Sequence, residues 1–441
     1  MKVVKPTGGL IYGWLLVVLF MEYARPASFF PILNIPFFYS ALPLLLFVTS
    51  CFTEGLRSPK EAFSNKQSKW IFALLGVVML SMLIFWAYAI DVFTSVLGYV
   101  LVFVVLARVC TTWSRIRGVV KMLIFAHLFL LAMNPQVLLD PNTRQYIKGA
   151  TFLGDGNDFG LSICLLFPLG IWLVQTSPSK FGKLLNILAL LVLLYAVVAS
   201  QSRGATLGIG ATFAFLWWWS KHKAIGAVAM AVAGVVLLAL APSAYTARMG
   251  TLSNPTDGSA QGRIDAWGAG VGMGAKNPLI GVGAGHFGPR WGKTAHSTYV
   301  LAFGELGIPG VICVFAIVIG NIRATMNLRK LIRDALAPPK EPDSKPKPFA
   351  ARTKEKGESS PVTSNQEVIA RALLMSAAAM VGFGVAGAFL SATYYPHIYV
   401  LTGLMISARA LASSETGIVV NVTKDRVGFR RANARPGLKP E

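Results

Sequence analysis

Two arginines and a histidine define the chemistry open to this 441-residue chain: Arg203 in Ser-Gln-Ser-Arg-Gly, Arg263 in Gly-Arg-Ile-Asp-Ala-Trp, and His296 in Ala-His-Ser-Thr-Tyr. Two guanidinium forks and one imidazole suit a diphosphate. The forks neutralise and hold phosphate oxygens, and the imidazole can take a proton from an attacking hydroxyl. Each residue also has a plainer reading. Arg203 can snorkel or cap carbonyls, Arg263 can be a solvated loop cation paired with Asp257 or Asp265, and His296 can be a loop histidine bonded to a carbonyl. Position favours chemistry at His296, because Ser297 or Thr298 can cap the apolar run that follows and set the imidazole where an embedded substrate presents its head group. An arginine at full bilayer depth costs about 2.5–3.5 kcal/mol on insertion scales, so one near a helix end normally faces a wet cavity or a bound anion.

Secondary candidates surround these three. Gly281-Val-Gly-Ala-Gly-His-Phe287 has the glycines of a phosphate cradle but lacks the strand, helix and Lys-Ser/Thr of a nucleotide site, so it reads as a tight turn carrying His286. His286, Arg290 and Tyr299 join Arg203 and Arg263 as the substrate-binding candidates. Gly154-Asp-Gly-Asn-Asp158 reads as turn and cap chemistry with a possible cation or sugar role. Glu305, ahead of Gly-Ile-Pro-Gly310, reads as a paired carboxylate at a kinked helix facing the bundle interior. His127 and His397 read as buried or interfacial, with Tyr394-Tyr-Pro-His397 able to line the same cavity. No Asp-x-Asp pair or His-rich spacing occurs, so the expected chemistry uses no metal and no cofactor.

The elements that must hold these residues are membrane helices. The chain is 54% hydrophobic and 14% charged, with a mean hydropathy of +0.58. Apolar runs fall near 9–22, 37–52, 70–87, 93–108, 118–133, 159–175, 184–200, 204–219, 224–241, 298–320, 369–390 and 396–412, which makes about twelve spans. The first run follows Lys2 and Lys5 without a small-residue cleavage site, and reads as a retained helix. With the amino terminus inside, all but nine of the 41 Lys and Arg lie on the inner side, so both termini are expected in the cytoplasm. The net charge of +22 then reflects orientation in the membrane and contact with its lipids, and no nucleic acid partner is expected. Trp217-Trp-Trp219 followed by Lys221 and Lys223 reads as an interfacial belt with His222 in it, and Gly204 and Gly208 offer a close-packing face. The four cysteines, lying far apart, read as small buried apolar residues.

Residues 1–412 thus form one polytopic domain. An outside loop at about 242–297, between spans nine and ten, carries the site, and Ile264, Trp267 and Val271 suggest a short amphipathic helix there with Arg263 in its first turn and five glycines weakening it. An inside loop at about 321–368, containing PPKEPDSKPKP, reads as a flexible linker or a contact with anionic lipid, and 413–441 is a basic tail.

SQSRGATLGIG, SAQGRIDAWGAGVGMGAKNPLIGVGAGHF and AHSTYVLAFGELGIPG, in that order after a many-span amino-terminal half, resemble the O-antigen ligase and polymerase superfamily of bacterial envelope enzymes. The subgroup most similar is the O-glycosylation ligases found with exosortase systems. The resemblance covers about residues 200–310. It implies an all-α, C-type glycosyltransferase-like enzyme of about twelve helices in the bacterial inner membrane, with a periplasmic loop closing over the site. It further implies a glycan donor on undecaprenyl pyrophosphate, an acceptor such as lipid A-core or another glycan or protein, and no metal. Arg203 and Arg263 would hold the pyrophosphate, and His296 would activate or position the acceptor hydroxyl. The glycines after Arg263 depart from the firmer helix of relatives.

Ligase, polysaccharide polymerase and protein O-oligosaccharyltransferase share this chemistry. The rivals of a different class are a polysaccharide transporter or flippase and a non-enzymatic scaffold. Transporters built of two six-span halves place their long inside loop midway; here it follows the tenth span, and no half-to-half repeat is visible.

Overall fold

The structure, a computed structural model, describes residues 8–35, 38–143, 146–250, 258–336 and 361–418. Each predicted apolar run is a helix: α1 Gly9–Ala24, α2 Phe38–Cys51, α3 Lys66–Ile84, α4 Trp86–Val109, α5 Trp113–Met133, α6 Gly156–Thr176, α7 Lys180–Ala199, α8 Arg203–Trp218 and α9 Lys223–Leu240. α10, Gly258–Lys276, lies in the predicted outside loop, and α11 Thr298–Leu336, α12 Pro361–Gly387 and α13 Pro396–Thr416 follow. No strand occurs among the described residues. Among the described residues seven helices (α3 to α7, α11 and α12) are long and apolar enough to cross a bilayer. The chain is an all-α polytopic membrane protein, as hydrocarbon requires of a backbone that must satisfy its own hydrogen bonds.

Side-chain oxygens start several helices by accepting orphan backbone N–H groups. Thr112 caps α5 through Arg115 N (3.3 Å), Asp155 caps α6 through Asn157 N (2.7 Å), and Ser202 caps α8 through Ala205 N (3.2 Å). The GDGND segment thus does supply cap chemistry.

α12 is the hub, packed on α6, α8 and α11. Small residues allow its approach: a Cβ on Gly208 would lie 2.8 Å from Ala386 Cβ and 3.0 Å from Gly382 O. The Gly204 to Gly208 face therefore serves the close packing its spacing suggested. Trp217 Nε1 donates to Lys223 O (2.8 Å), and the Lys223 ammonium lies 4.9 Å from the centre of the Trp218 ring, consistent with an interfacial belt.

Three expected boundaries are corrected. α11 runs on to Leu336 rather than ending near 320, because Asn321, Thr325, Leu328 and Ile332 keep one buried face beyond the apolar run. α12 begins at Pro361 and α13 reaches Thr416, so both the inside loop and the tail are shorter than composition indicated. PPKEPDSKPKP and residues 419–441 lie outside the described residues. The 242–297 loop is also largely helical, with Ser243–Gly250 and Phe287–Trp291 beside α10.

The two ends of the bundle differ. At one, Thr298 Oγ1 donates to Leu390 O (2.6 Å) and the Tyr23 hydroxyl meets His397 Nδ1 (3.1 Å). At the other, Arg57 Nη1 donates to Ala107 O (2.7 Å) and Gln67 Nε2 to Gly320 O (3.0 Å).

Candidate functional site

All three principal candidates lie at the first of these ends, and their segments meet on one turn, residues 389–393, between α12 and α13. Arg203 is the first residue of α8 and only 4% exposed. Its neighbour Gly204 lies so close to that turn that a Cβ there would sit 3.0 Å from Phe389 Cβ. On the same Phe389 ring lies Trp267, centroid to centroid 6.2 Å, one turn after Arg263 on α10. His296 arrives from a third direction. Thr294 Oγ1 donates to Ser391 Oγ (2.8 Å), Thr298 Oγ1 accepts from Ala392 N (3.0 Å), and Thr393 Oγ1 donates to Thr298 O (2.8 Å).

His296 itself is half-buried between buried Ala295 and Ser297, with φ +50°. The only non-glycine residues with positive φ among those described are Arg25, Gln201 and His296. Gln201 is two residues before Arg203. A side chain in left-handed backbone costs roughly 1–2 kcal/mol, and such strain collects where surrounding structure fixes a side chain for use. After the bend, Ser297 caps α11 through Val300 N (3.4 Å), while Thr298 is spent on the 390–393 turn.

α10 corrects the sequence reading at two points. It starts at Gly258, so Arg263 lies past its first turn. Its glycines do not break it, because Gly270 and Gly274 form the face laid against α11. A Cβ on Gly304 of α11 would lie 3.1 Å from Gly270 O, and one on Gly274 would lie 2.6 Å from the Phe303 ring. Ile264 and Val271 point away and are 55% and 50% exposed, an apolar edge suited to a membrane surface. Gln261 Nε2 donates to Asp265 Oδ1 (2.9 Å); Asp257 lies outside the described residues.

Glu305 organises the neighbouring loop. Its carboxylate accepts from Phe287 N (2.7 Å), Gly285 N (2.8 Å) and the Tyr394 hydroxyl (2.8 Å). The carboxylate expected to have a partner thus has three donors, two of them backbone. The Gly281 to Phe287 turn is wedged against α11 where Gly307 (φ +66°) interrupts the helix, with Val282 N bonded to Gly304 O (2.9 Å) and Gly283 N to Glu305 O (3.0 Å). Gly281 has φ +63° and a Cβ there would strike the Glu305 backbone, so only glycine fits. The loop's other side rests on the α3–α4 junction, where Ala284 N donates to Ser81 Oγ (2.8 Å).

The substrate-binding candidates are distributed unevenly. His286 is lodged between Phe85 and Tyr88, 5.8 and 5.2 Å between ring centres, with Nδ1 3.0 Å from Ala284 O. Arg290 is exposed on the short Phe287–Trp291 helix. Tyr299 lies on the α11–α12 seam: its hydroxyl donates to Gly384 O (2.8 Å) and its ring stacks on Phe315 at 4.5 Å. His127 and His397 are fully buried, His127 Nε2 meeting Ser162 Oγ at 2.7 Å.

Sequence reading passed over Phe389 and Tyr395 as individual positions, and took Thr298 only as a helix cap. The Tyr395 hydroxyl donates to Asp158 Oδ2 (3.2 Å), which ties the start of α6 to the same strap. Burial, and then the adjoining carboxylates Glu305 and Asp158, push the Tyr394 and Tyr395 hydroxyls well above the usual phenol range, so both stay protonated as donors. The Tyr394-Tyr-Pro-His397 run was their visible signal. Among the described residues no group of three His, Cys, Asp or Glu side chains is arranged to hold a metal ion.

Residues 188–315 match the family model described as O-antigen ligase. The chain carries a segment similar to O-antigen ligases. The segment spans less than half of the chain, yet it contains Arg203, Arg263, His296 and Glu305; the 389–395 strap that joins them lies outside it. The comparison with curated proteins finds no match. The matched segment supports an O-antigen ligase-type glycosyltransferase in general, carried by a multi-pass membrane protein.

Proposed function

We propose that the protein moves a glycan from undecaprenyl pyrophosphate to an acceptor hydroxyl at the periplasmic face of the inner membrane. The observation that carries this reading is the meeting of the Arg203, Arg263 and His296 segments on the 389–393 turn, at one end of a hydrophobic bundle. In this mechanism the acceptor oxygen attacks the anomeric carbon as the bond to the diphosphate breaks. His296 takes the hydroxyl proton, and the two guanidiniums hold the charge that develops on the departing diphosphate. A diphosphate is already a good leaving group, so positioning and charge stabilisation suffice without a metal.

The lysine and arginine distribution supports a cytoplasmic location for both termini and a periplasmic one for the site. The exposed apolar edge of α10 supports the idea that this helix rests at the membrane surface above the donor's lipid chain. The acceptor is read as lipid A-core or another envelope glycan or protein. Incubating purified protein with a lipid-pyrophosphate glycan and each acceptor in turn, without ATP and with a chelator, should give a single glycosylated product. Its chemistry separates ligase, polymerase and protein transfer; no product with any acceptor overturns the reading.

A further inference from the structure

At the end of the bundle opposite the Arg203 site, several arginines are buried or half-buried, and most are satisfied. Arg57 and Arg108 donate to backbone carbonyls, Arg115 Nη1 to Val109 O (2.8 Å), and Arg409 Nη1 to Asn321 Oδ1 (3.1 Å) and Thr325 Oγ1 (2.9 Å). Arg329, one turn beyond Thr325 on α11, is the exception. It is 6% exposed, its Nε is buried with no hydrogen-bond partner among the described residues, and its guanidinium lies against the Trp219 ring, 5.3 Å from Cζ to centroid. One turn further along α11 stands Arg333, a charge of the same sign. A buried cation with no counter-charge is costly, and in membrane proteins it usually marks a missing anion.

Depth indicates what that anion is. From Ile308, past the kink, to Arg329 is about 32 Å of helix, the thickness of the hydrocarbon core. Trp219 belongs to the Trp217-Trp-Trp219 run with Lys221 and Lys223 next to it, the composition of a headgroup-level belt. A guanidinium braced on one face by an aromatic ring, with its N–H edges unused, matches the oxygens of a phosphodiester. The chain's own acidic residues are a poorer match, because the 337–360 segment carries six Lys and Arg against four Asp and Glu.

We propose that Arg329 and Trp219 form a binding site for the phosphate of an anionic phospholipid in the leaflet opposite the Arg203 site. The test uses purified full-length protein in nanodiscs of phosphatidylcholine alone or with phosphatidylglycerol, read by thermal melting and by native mass spectrometry of retained lipid. Wild type should melt higher with phosphatidylglycerol and retain it at least tenfold more than Arg329→Leu, whereas exposed Lys330→Gln should behave as wild type. In phosphatidylcholine alone, whose phosphate is already neutralised by its own choline cation, Arg329→Leu should melt no lower than wild type, since that headgroup brings no net charge to match the guanidinium. Trp219→Leu should lower retention about threefold. Equal retention by wild type and Arg329→Leu overturns the proposal, as does inorganic phosphate giving the same thermal shift as the lipid. It is also overturned if converting Glu341, Asp343, Glu355 and Glu358 to Gln raises lipid retention, because the anion would then be the chain's own.

Discussion

On the proposed mechanism His296 combines two demands in one residue, an imidazole for proton transfer and a left-handed backbone, after which Ser297 caps α11 and Thr298 secures the 390–393 turn. These demands can be separated. His296→Ala and His296→Gly should both lose glycan transfer by about a hundredfold or more, but the glycine variant should be the more stable of the two, by about 1 kcal/mol, because φ +50° suits glycine. Equal stability of the two would show that the backbone there is not strained. Arg203→Lys should lose most activity despite keeping the charge, since a fork is replaced by a point. At Glu305 the effect is on structure: Glu305→Ala leaves the buried N–H groups of Gly285 and Phe287 unpaired, each costing about 1–3 kcal/mol. Its melting temperature should fall well below that of Tyr394→Phe, which removes one donor and leaves the carboxylate two.

Among the elements, α10 and α11 decide whether Arg263 and His296 share a site. Their contact is glycine on glycine at Gly270 and Gly304, with Gly274 under Phe303, so the helices approach where any side chain would separate them. Gly304→Val should cost about 1–3 kcal/mol by overpacking and lower transfer with it. Gly268→Ala, where a Cβ meets open space, should be neutral or slightly stabilising. Measuring transfer and melting for the pair separates a packing role from a loop that merely tolerates glycine. The α10 glycines show why the sequence misleads here: helix propensity counts each as a loss, and only the partner helix reveals the compensating approach.

Across the whole molecule, the bundle has one end holding the Arg203, Arg263 and His296 segments and another holding Arg57, Arg108, Arg115, Arg329 and Arg409. The orientation assigned from charge predicts that, in a Cys51→Ser background, a cysteine at exposed Leu139 is labelled by an impermeant thiol reagent from the periplasm. A cysteine at exposed Glu54 should be labelled only after the membrane is opened. The reverse pattern would put the site in the cytoplasm.

The sequence by itself determined the helical, membrane-spanning character and the position of all twelve apolar runs, and it singled out the residues proposed to handle a diphosphate. Hydrophobic length and side-chain chemistry are local properties, written into each segment. Tertiary structure alone decided that α11 continues to Leu336, that Glu305 holds a loop through two backbone N–H groups, and that three separate motifs converge on Phe389 to Thr393. Those facts depend on which helix lies against which, and in a bundle this apolar many faces are chemically alike. The choice among them is made by close contact between small residues and by hydrogen bonds between residues far apart in the chain, from Thr298 with Leu390, 92 positions, to Tyr23 with His397, 374.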